Sequence, residues 1–475
     1  MFNLFPHRRT NCRIHRRDAL RLGGLTALGA TLGQAEVSLA ARGQATHAAT
    51  AKRCIYIFLC GGPSHIDMWD LKPDAPDGIR GPFQPIDTNV PGIQFGELLP
   101  QVSQHADKLA VIRSMTHDTQ SHDIGIMYTL LGDSRPPTRA AYPPVRSDHP
   151  GMGAILKGLM GDSPELPCWV TVPRPFTTGE RFYKGQSGGF LGPAFDPFLL
   201  DEPKTDSLSE KEFNLEALLL RDSLDRQRLV GRRALLGDLN NSRDRQLDTA
   251  ATGDLQKYFD KATSMLADDG FSAVFDLDQE SAALRDRYGR NEYGQSFLLA
   301  RRMAEAGVRM VNVFWTYYGK DGCQFNLWDN HGSDQDVCGG YNRGVDMIKG
   351  DYCCPAFDRA FSALMQDLTD RGLLDDTLVV VTGEFGRTPK INKNAGRDHW
   401  GACYGTLLAG GGIRGGQTYG SSDGHAAYVK DSPVRVEDVG ATILHAFGFP
   451  PEAEIFDPAG RPVRSSKGTP LTALF

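Results

Sequence analysis

At 475 residues, with 23% charged and 40% hydrophobic residues, the chain has the make-up of an ordinary globular protein, long enough for one large α/β domain or two smaller ones. Its formal net charge of -6 becomes about -11 once the first 50 residues, with seven Arg against Asp18 and Glu36, are set aside, and an acidic body of that kind excludes a general nucleic-acid-binding role. The 53 Gly and 28 Pro imply many loops, which is where sites tend to be built.

The chain opens with Arg16-Arg17 ahead of the apolar run from Leu20 to Leu39. A paired arginine before a modest hydrophobic stretch resembles a twin-arginine export address, and the small residues around Ser38-Leu39-Ala40 offer a cleavage site. Gly23, Gly24, Gly29 and Gly33 leave the run too weakly hydrophobic for a stable membrane span. The expectation is a signal peptide over 1–40, a linker over 41–53, the twin-arginine machinery as a partner, and a mature protein that is periplasmic or secreted.

The run Cys54 to Cys60 is apolar at consecutive positions, as in a strand buried on both faces of a parallel sheet, and it ends at Gly61-Gly62-Pro63. A helix carrying Leu98, Leu99, Val102 and Leu109 is expected next, then a strand at Leu109 to Ile112, which starts a β-α-β rhythm. Further strands are expected at Cys168 to Val172, Val308 to Phe314, Thr377 to Thr382 and Tyr404 to Ala409, with helices at Gln295 to Ala306, Ala356 to Arg371 and Val436 to Phe447. This pattern predicts an α/β fold, a central mostly parallel sheet flanked by helices, over 54–475. Residues 204–268 interrupt it with Leu215, Leu218, Leu219, Leu229 and Leu235 at helical spacing, the mark of a helical insertion or lid. Cys323, Cys338, Cys353 and Cys354 crowd one stretch and fit disulfides or buried thiols; without a C-x-x-C pair, a four-cysteine zinc site is the weaker reading.

Four polar clusters fall where expected strands end, the edge at which open α/β sheets place ligands. Gly61 to Asp67 brings a carboxylate and His65. Ser114 to Asp123 packs two His, two Asp and four hydroxyls into ten residues, so that Thr116, Thr119 and Ser121 become candidate nucleophiles and His122 a candidate ligand. Asp329 and His331 stand two apart in a turn and can converge on a metal. Glu384 and His399 add a carboxylate and an imidazole, while Arg387 can neutralise a bound anion.

Taken in order, Gly61 to Asp67, Ile112 to His117, Asp329 to Gly332, Gly383 to Pro389 and Gly396 to Trp400 resemble the alkaline phosphatase and sulfatase superfamily, and more closely its exported branch, the domain-of-unknown-function family numbered 1501. The resemblance implies an alkaline phosphatase-like sheet between helices with a metal-centred site at the strand ends. It puts the first-strand carboxylate on Asp67 and the final metal-binding histidine on His399. Where many relatives show Asp-His after the late strand, Glu384-Phe385 stands here, and His331 or His122 can take the missing imidazole's place. The sulfatase pattern of a modified Cys or Ser with Pro and Arg close behind has no match in 114–132.

Two functions remain in play. The first is an exported metal-dependent hydrolase of phosphate or sulfate esters, with an anionic ester, for example of a polysaccharide, as substrate and one or two divalent metals (zinc, manganese, iron or calcium) held by residues among Asp67, His122, Asp329, His331, Glu384 and His399. The second is a non-catalytic, metal-stabilised binding or scaffolding protein on the same fold.

Overall fold

The computed structural model describes residues 44–475 apart from 137–139, 162–165, 201, 203, 212, 214–230, 232–234, 236–268, 320–323 and 333–342. The expected signal peptide thus lies outside the described residues. The sheet and the candidate site belong to the larger of two compact units, Gly33–Phe213 with Ala273–Phe475.

Its centre is an eight-stranded sheet of β1 (Arg53–Leu59), β2 (Leu109–Met115), β3 (Trp169–Val172), β4 (Phe198–Leu199), β5 (Met310–Trp315), β6 (Thr377–Thr382), β7 (Tyr404–Ala409) and β8 (Gln417–Tyr419), in the order β8-β2-β7-β6-β1-β5-β3-β4. β1 lies in the middle and pairs in parallel with β6 and β5, so that Ile55 is level with Val379 and Val311. Only β7 runs against the rest, antiparallel to both β6 and β2. This is the expected α/β class with a mostly parallel sheet.

The consecutive apolar residues of β1 are buried because both sheet faces are covered. Cys54, Tyr56, Phe58 and Cys60 join one core with residues of α1 (His122–Leu131), α2 (Met152–Met160) and α5 (Val436–Ala446). Against β1 and β5 also packs α3 (Glu292–Ala306), which in turn contacts α4 (Cys354–Asp370). Asn291 caps α3 by accepting from the Gly294 amide at 3.0 Å, and Gly307 ends it in the left-handed conformation. In α4 the buried Phe357, Phe361, Leu364 and Leu368 recur at three- and four-residue spacing.

Some expectations shift. The helix expected from Leu98 is a 3-10 helix over Val102–Lys108, because the Asp358 carboxylate of α4 accepts from the Gln101 and Val102 amides and fixes a tighter start. Residues 204–211 are loop and turn, and most of the expected helical insertion beyond them lies outside the described residues. Cys353 and Cys354 are buried free thiols, as are Cys54, Cys60, Cys168 and Cys403, while Cys323 and Cys338 lie outside the described residues. Among the described residues, no helix is long and apolar enough to cross a membrane.

Candidate metal centre

Parallel strands bring their C-terminal ends to one edge, and there the turn after β1, the first turn of α1 after β2, the long loop after β5 and the turn after β6 meet. Because β7 is antiparallel, the segment leading into it reaches the same edge and delivers the short strand His399–Trp400, paired with Gly386–Arg387. Five expected site residues converge here: His122, Asp329, His331, Glu384 and His399.

Gly61 makes the close approach possible. Its φ of +121° is open to glycine, and a Cβ there would stand 2.5 Å from the Asp329 backbone nitrogen. The Gly61 amide donates to both oxygens of Glu384 at 3.0 and 3.2 Å, joining the turns after β1 and β6.

Asp329 is the hub. His122 Nε2 lies 3.2 Å from its Oδ2, His331 Nε2 lies 3.4 Å from the same oxygen, and His399 Nε2 lies 3.2 Å from Oδ1. Behind it, Arg387 donates to Oδ1 at 2.7 Å. The opposite nitrogen of each imidazole is committed to an acceptor: His122 Nδ1 donates to Glu384 Oε1 at 2.6 Å, His331 Nδ1 to the Gly332 carbonyl at 2.7 Å and His399 Nδ1 to the Gln120 carbonyl at 2.9 Å. With the protons on Nδ1, three Nε2 lone pairs point toward one carboxylate. Such an arrangement repels itself unless positive charge lies between, supplied by extra protons or by a metal.

The donor set fits a metal. One ligand atom from each of His122, Asp329 and His399 can be chosen so that all lie within 4.8 Å of one another, and ligands about 2 Å from a tetrahedral zinc stand roughly 3.3 Å apart. His122 Nε2 is buried and, despite its proximity to Asp329, lacks an aligned hydrogen-bond partner. Side-chain exposures of 17% for Asp329, 19% for His122, 28% for His399 and 37% for His331 leave the front of the cluster open, whereas Glu384 and Arg387 are at 0% behind it.

The electrostatics agree with a site that wants a cation. Burial opposes protonation of His122, yet the adjacent Asp329 and Glu384 carboxylates outweigh that and raise it to about 9. The Asp329 hydrogen bond also raises His331. Burial alone would raise Asp329, but Arg387 and the three histidines hold it well below the usual carboxylate range.

Two expected members stand elsewhere or act differently. Asp67 is not among the groups within ligand distance: it is fully buried in an ion pair with Arg397, Nε to Oδ2 at 2.8 Å and a second nitrogen to Oδ1 at 3.0 Å, with Ser64 also donating to it at 2.5 Å. Its carboxylate serves the buried guanidinium. Arg387 is committed as well, donating to the carbonyls of Gly61, Gly62 and Arg397 besides Asp329. Of the candidate hydroxyls, Thr119 is buried and accepts from the Ser121 amide at 3.2 Å, Thr116 is half-buried, and Ser121 is exposed immediately before His122.

Two further contributors lie within the polar clusters but outside the expected set of site residues. His117 donates from Nε2 to the Glu384 carbonyl at 2.5 Å and accepts from the Thr119 amide, so one ring ties the hydroxyl loop to the β6 turn; burial lowers its pKa. The Phe385 ring packs on His122 and His399 at centroid distances of 4.8 and 4.9 Å. His122 thus stands beside the position at which the resemblance leaves an imidazole missing.

Among solved structures the chain is similar to Ps i-CgsB, at 11% identity over 83% of this chain and 72% of that one with a TM-score of 0.37. It is also similar to the PsFucS1 sulfatase from Pseudoalteromonas sp., at 12% identity over 88% and 72% with a TM-score of 0.36. No curated protein matches it. A family model described as a protein of unknown function (DUF1501) matches residues 51–475, and the chain belongs to that family.

Proposed function

We propose that the protein is an exported, metal-dependent hydrolase of phosphate or sulfate esters. One observation carries the reading: three imidazoles, each oriented by an acceptor on Nδ1, turn their Nε2 atoms on the single carboxylate of Asp329 at the open edge of the sheet. His122, Asp329 and His399 would hold the ion, with His331 beside them. A bound divalent metal would polarise the ester oxygen and lower the pKa of a hydroxyl or water. A nitrogen-rich set favours zinc, manganese or iron over calcium, which prefers all-oxygen cages.

The chain's own residues do the rest. Glu384 fixes the His122 ring, the Gln120 and Gly332 carbonyls fix His399 and His331, and Arg387 anchors Asp329 from within the fold. Ser121, exposed and one residue before a ligand, is the best presented of the three hydroxyls, with Thr119 and Thr116 as the others to test. The test is turnover of generic phosphate and sulfate esters by protein purified without chelator. Activity should vanish with chelation and return with one metal, and a single Ala replacement among Thr116, Thr119 and Ser121 should abolish it with metal still bound. If all three remain active, water attacks directly.

The second reading, a metal-stabilised binding protein on this fold, draws support from Arg387, whose guanidinium is spent inside the protein and is not presented to an anion. Fully metallated protein that turns over neither ester class would establish it.

Export by the twin-arginine route belongs to the same proposal and rests on Arg16-Arg17. Replacing both by Lys should trap the precursor inside the cell; unchanged export would remove this part of the reading.

A further inference from the structure

We infer that Arg181 and Lys204 form a second anion subsite beside the metal centre, taking a further sulfate or phosphate group of a substrate that carries more than one. His122 is followed by Asp123, and both oxygens of Asp123 are claimed by phenols: Tyr142 Oη donates to Oδ2 at 3.0 Å and Tyr183 Oη to Oδ1 at 2.6 Å. Tyr183 directly follows the hairpin of Thr177–Thr178 and Arg181–Phe182. Tyr183 therefore ties this hairpin to the first turn of α1, next to His122, and Tyr142 brings its own loop to the same carboxylate.

On the hairpin, the Arg181 guanidinium lies over the Tyr142 ring at 4.6 Å from its centroid. A guanidinium held over a ring face by the cation–π attraction can still direct N–H groups to an oxyanion. Lys204 Nζ comes within 3.5 Å of the Gly179 carbonyl at the hairpin tip. Both cations are exposed, and neither pairs with a carboxylate among the described residues, Glu180 on the same turn included. The contrast with Arg387 and Arg397 is direct, since those guanidiniums are buried and committed to carbonyls and carboxylates. Arg181 and Lys204 thus offer cation available to a ligand, and Asp123, satisfied by two phenols, is the acid that holds the hairpin there. A substrate anchored by one anionic group at the metal can lay a neighbouring anionic group on Arg181 and Lys204.

The inference rests on the metal-centre reading for the first anion only, and binding measurements separate the two. The zinc-loaded protein is titrated calorimetrically with a short dextran sulfate oligosaccharide, with neutral dextran of the same length and with orthophosphate. Arg181→Ala with Lys204→Ala should weaken dextran sulfate binding by about tenfold or more, the effect of losing a charge-assisted hydrogen bond, with a shallower salt dependence. Orthophosphate affinity, zinc content and thermal unfolding should stay as in the parent, and Arg181→Lys should fall between, because it keeps charge without the stacked fork. Equal dextran sulfate affinity in parent and double variant overturns the subsite. If the parent binds no orthophosphate while dextran sulfate binding still depends on Arg181 and Lys204, the metal-centre reading fails and the subsite stands.

Discussion

Glu384 and His122 meet across the sheet edge with 2.6 Å between Oε1 and Nδ1, and the carboxylate that orients this ring is completely buried while the ring itself reaches solvent. A carboxylate behind a ligating imidazole fixes its tautomer and raises its basicity. Glu384→Ala should therefore weaken metal binding by about 10- to 100-fold, as is usual for such outer partners. Glu384→Gln keeps an acceptor for Nδ1 and should lose less. Competition titration against a chromophoric chelator measures both; equal affinity in all three proteins would remove Glu384 from the site.

The candidate ligands should rank by geometry. His122→Ala, Asp329→Ala and His399→Ala each delete a member of the set that comes together within 4.8 Å, and each should purify with little or no metal. His331, the most exposed of the four and 3.4 Å from Asp329, should lower affinity without abolishing occupancy when replaced by Ala. Metal content by elemental analysis of the purified variants decides the order.

The raised pKa of His122 gives a pH dependence with a definite sign. In the metal-free protein its value moves from 6.5 to about 9, so the stability it contributes is fully present below about pH 6.5 and is lost as pH rises through about 9. Chelator-treated protein should lose stability over that window, by about 3 kcal/mol at most, measured by denaturant unfolding at a series of pH values. Metal affinity should move the other way, because binding must displace the same proton. His122→Gln should flatten both profiles.

Asp67 should behave as a structural residue. With Asp67 and Arg397 both fully buried, removing one partner leaves the other charge uncompensated, a change that costs roughly 3 to 5 kcal/mol. Asp67→Ala should lower the unfolding midpoint steeply while protein that remains folded still takes up metal in the parent stoichiometry. Loss of metal from folded Asp67→Ala would return Asp67 to the ligand set.

Much of this was legible in the chain. Consecutive apolar runs located β1, β6 and β7 to within a residue or so, because strands buried on both faces need no alternation to be recognised. Polar clusters after β2, β5 and β6 contained His122, Asp329, His331, Glu384 and His399, since these three strands run the same way and carry their ends to one edge. Pairing within the edge was not legible. Asp67 and Glu384 are both acids in turns after strands, and what separates them is Arg397, which reaches Asp67 from 330 positions away. The short edge strands β4 and β8 carry too few residues for a pattern and exist through their neighbours. The carbonyls of Gln120 and Gly332 orient two of the imidazoles without any side-chain signature.

Arg387 separates reading from structure most clearly. A guanidinium that touched the substrate would, on replacement, lower turnover with metal intact. In the fold it is wholly buried, with Nε on the Gly62 carbonyl at 2.9 Å, one terminal nitrogen on the Arg397 carbonyl at 3.1 Å, and the other on the Gly61 carbonyl and on Asp329 Oδ1, the latter at 2.7 Å. It braces the turn that lets the Asp329 loop approach, and it supplies the charge that keeps Asp329 ionised. Arg387→Ala should thus lose metal and stability together, by roughly 3 to 5 kcal/mol in stability for an ion pair broken at its buried end. Arg387→Lys, with one ammonium in place of a fork, cannot reach three carbonyls and a carboxylate at once and should recover only part of either. Elemental analysis and unfolding of the two variants decide the matter: a fully metallated, stable Arg387→Ala protein with impaired turnover would assign the guanidinium to the anion after all.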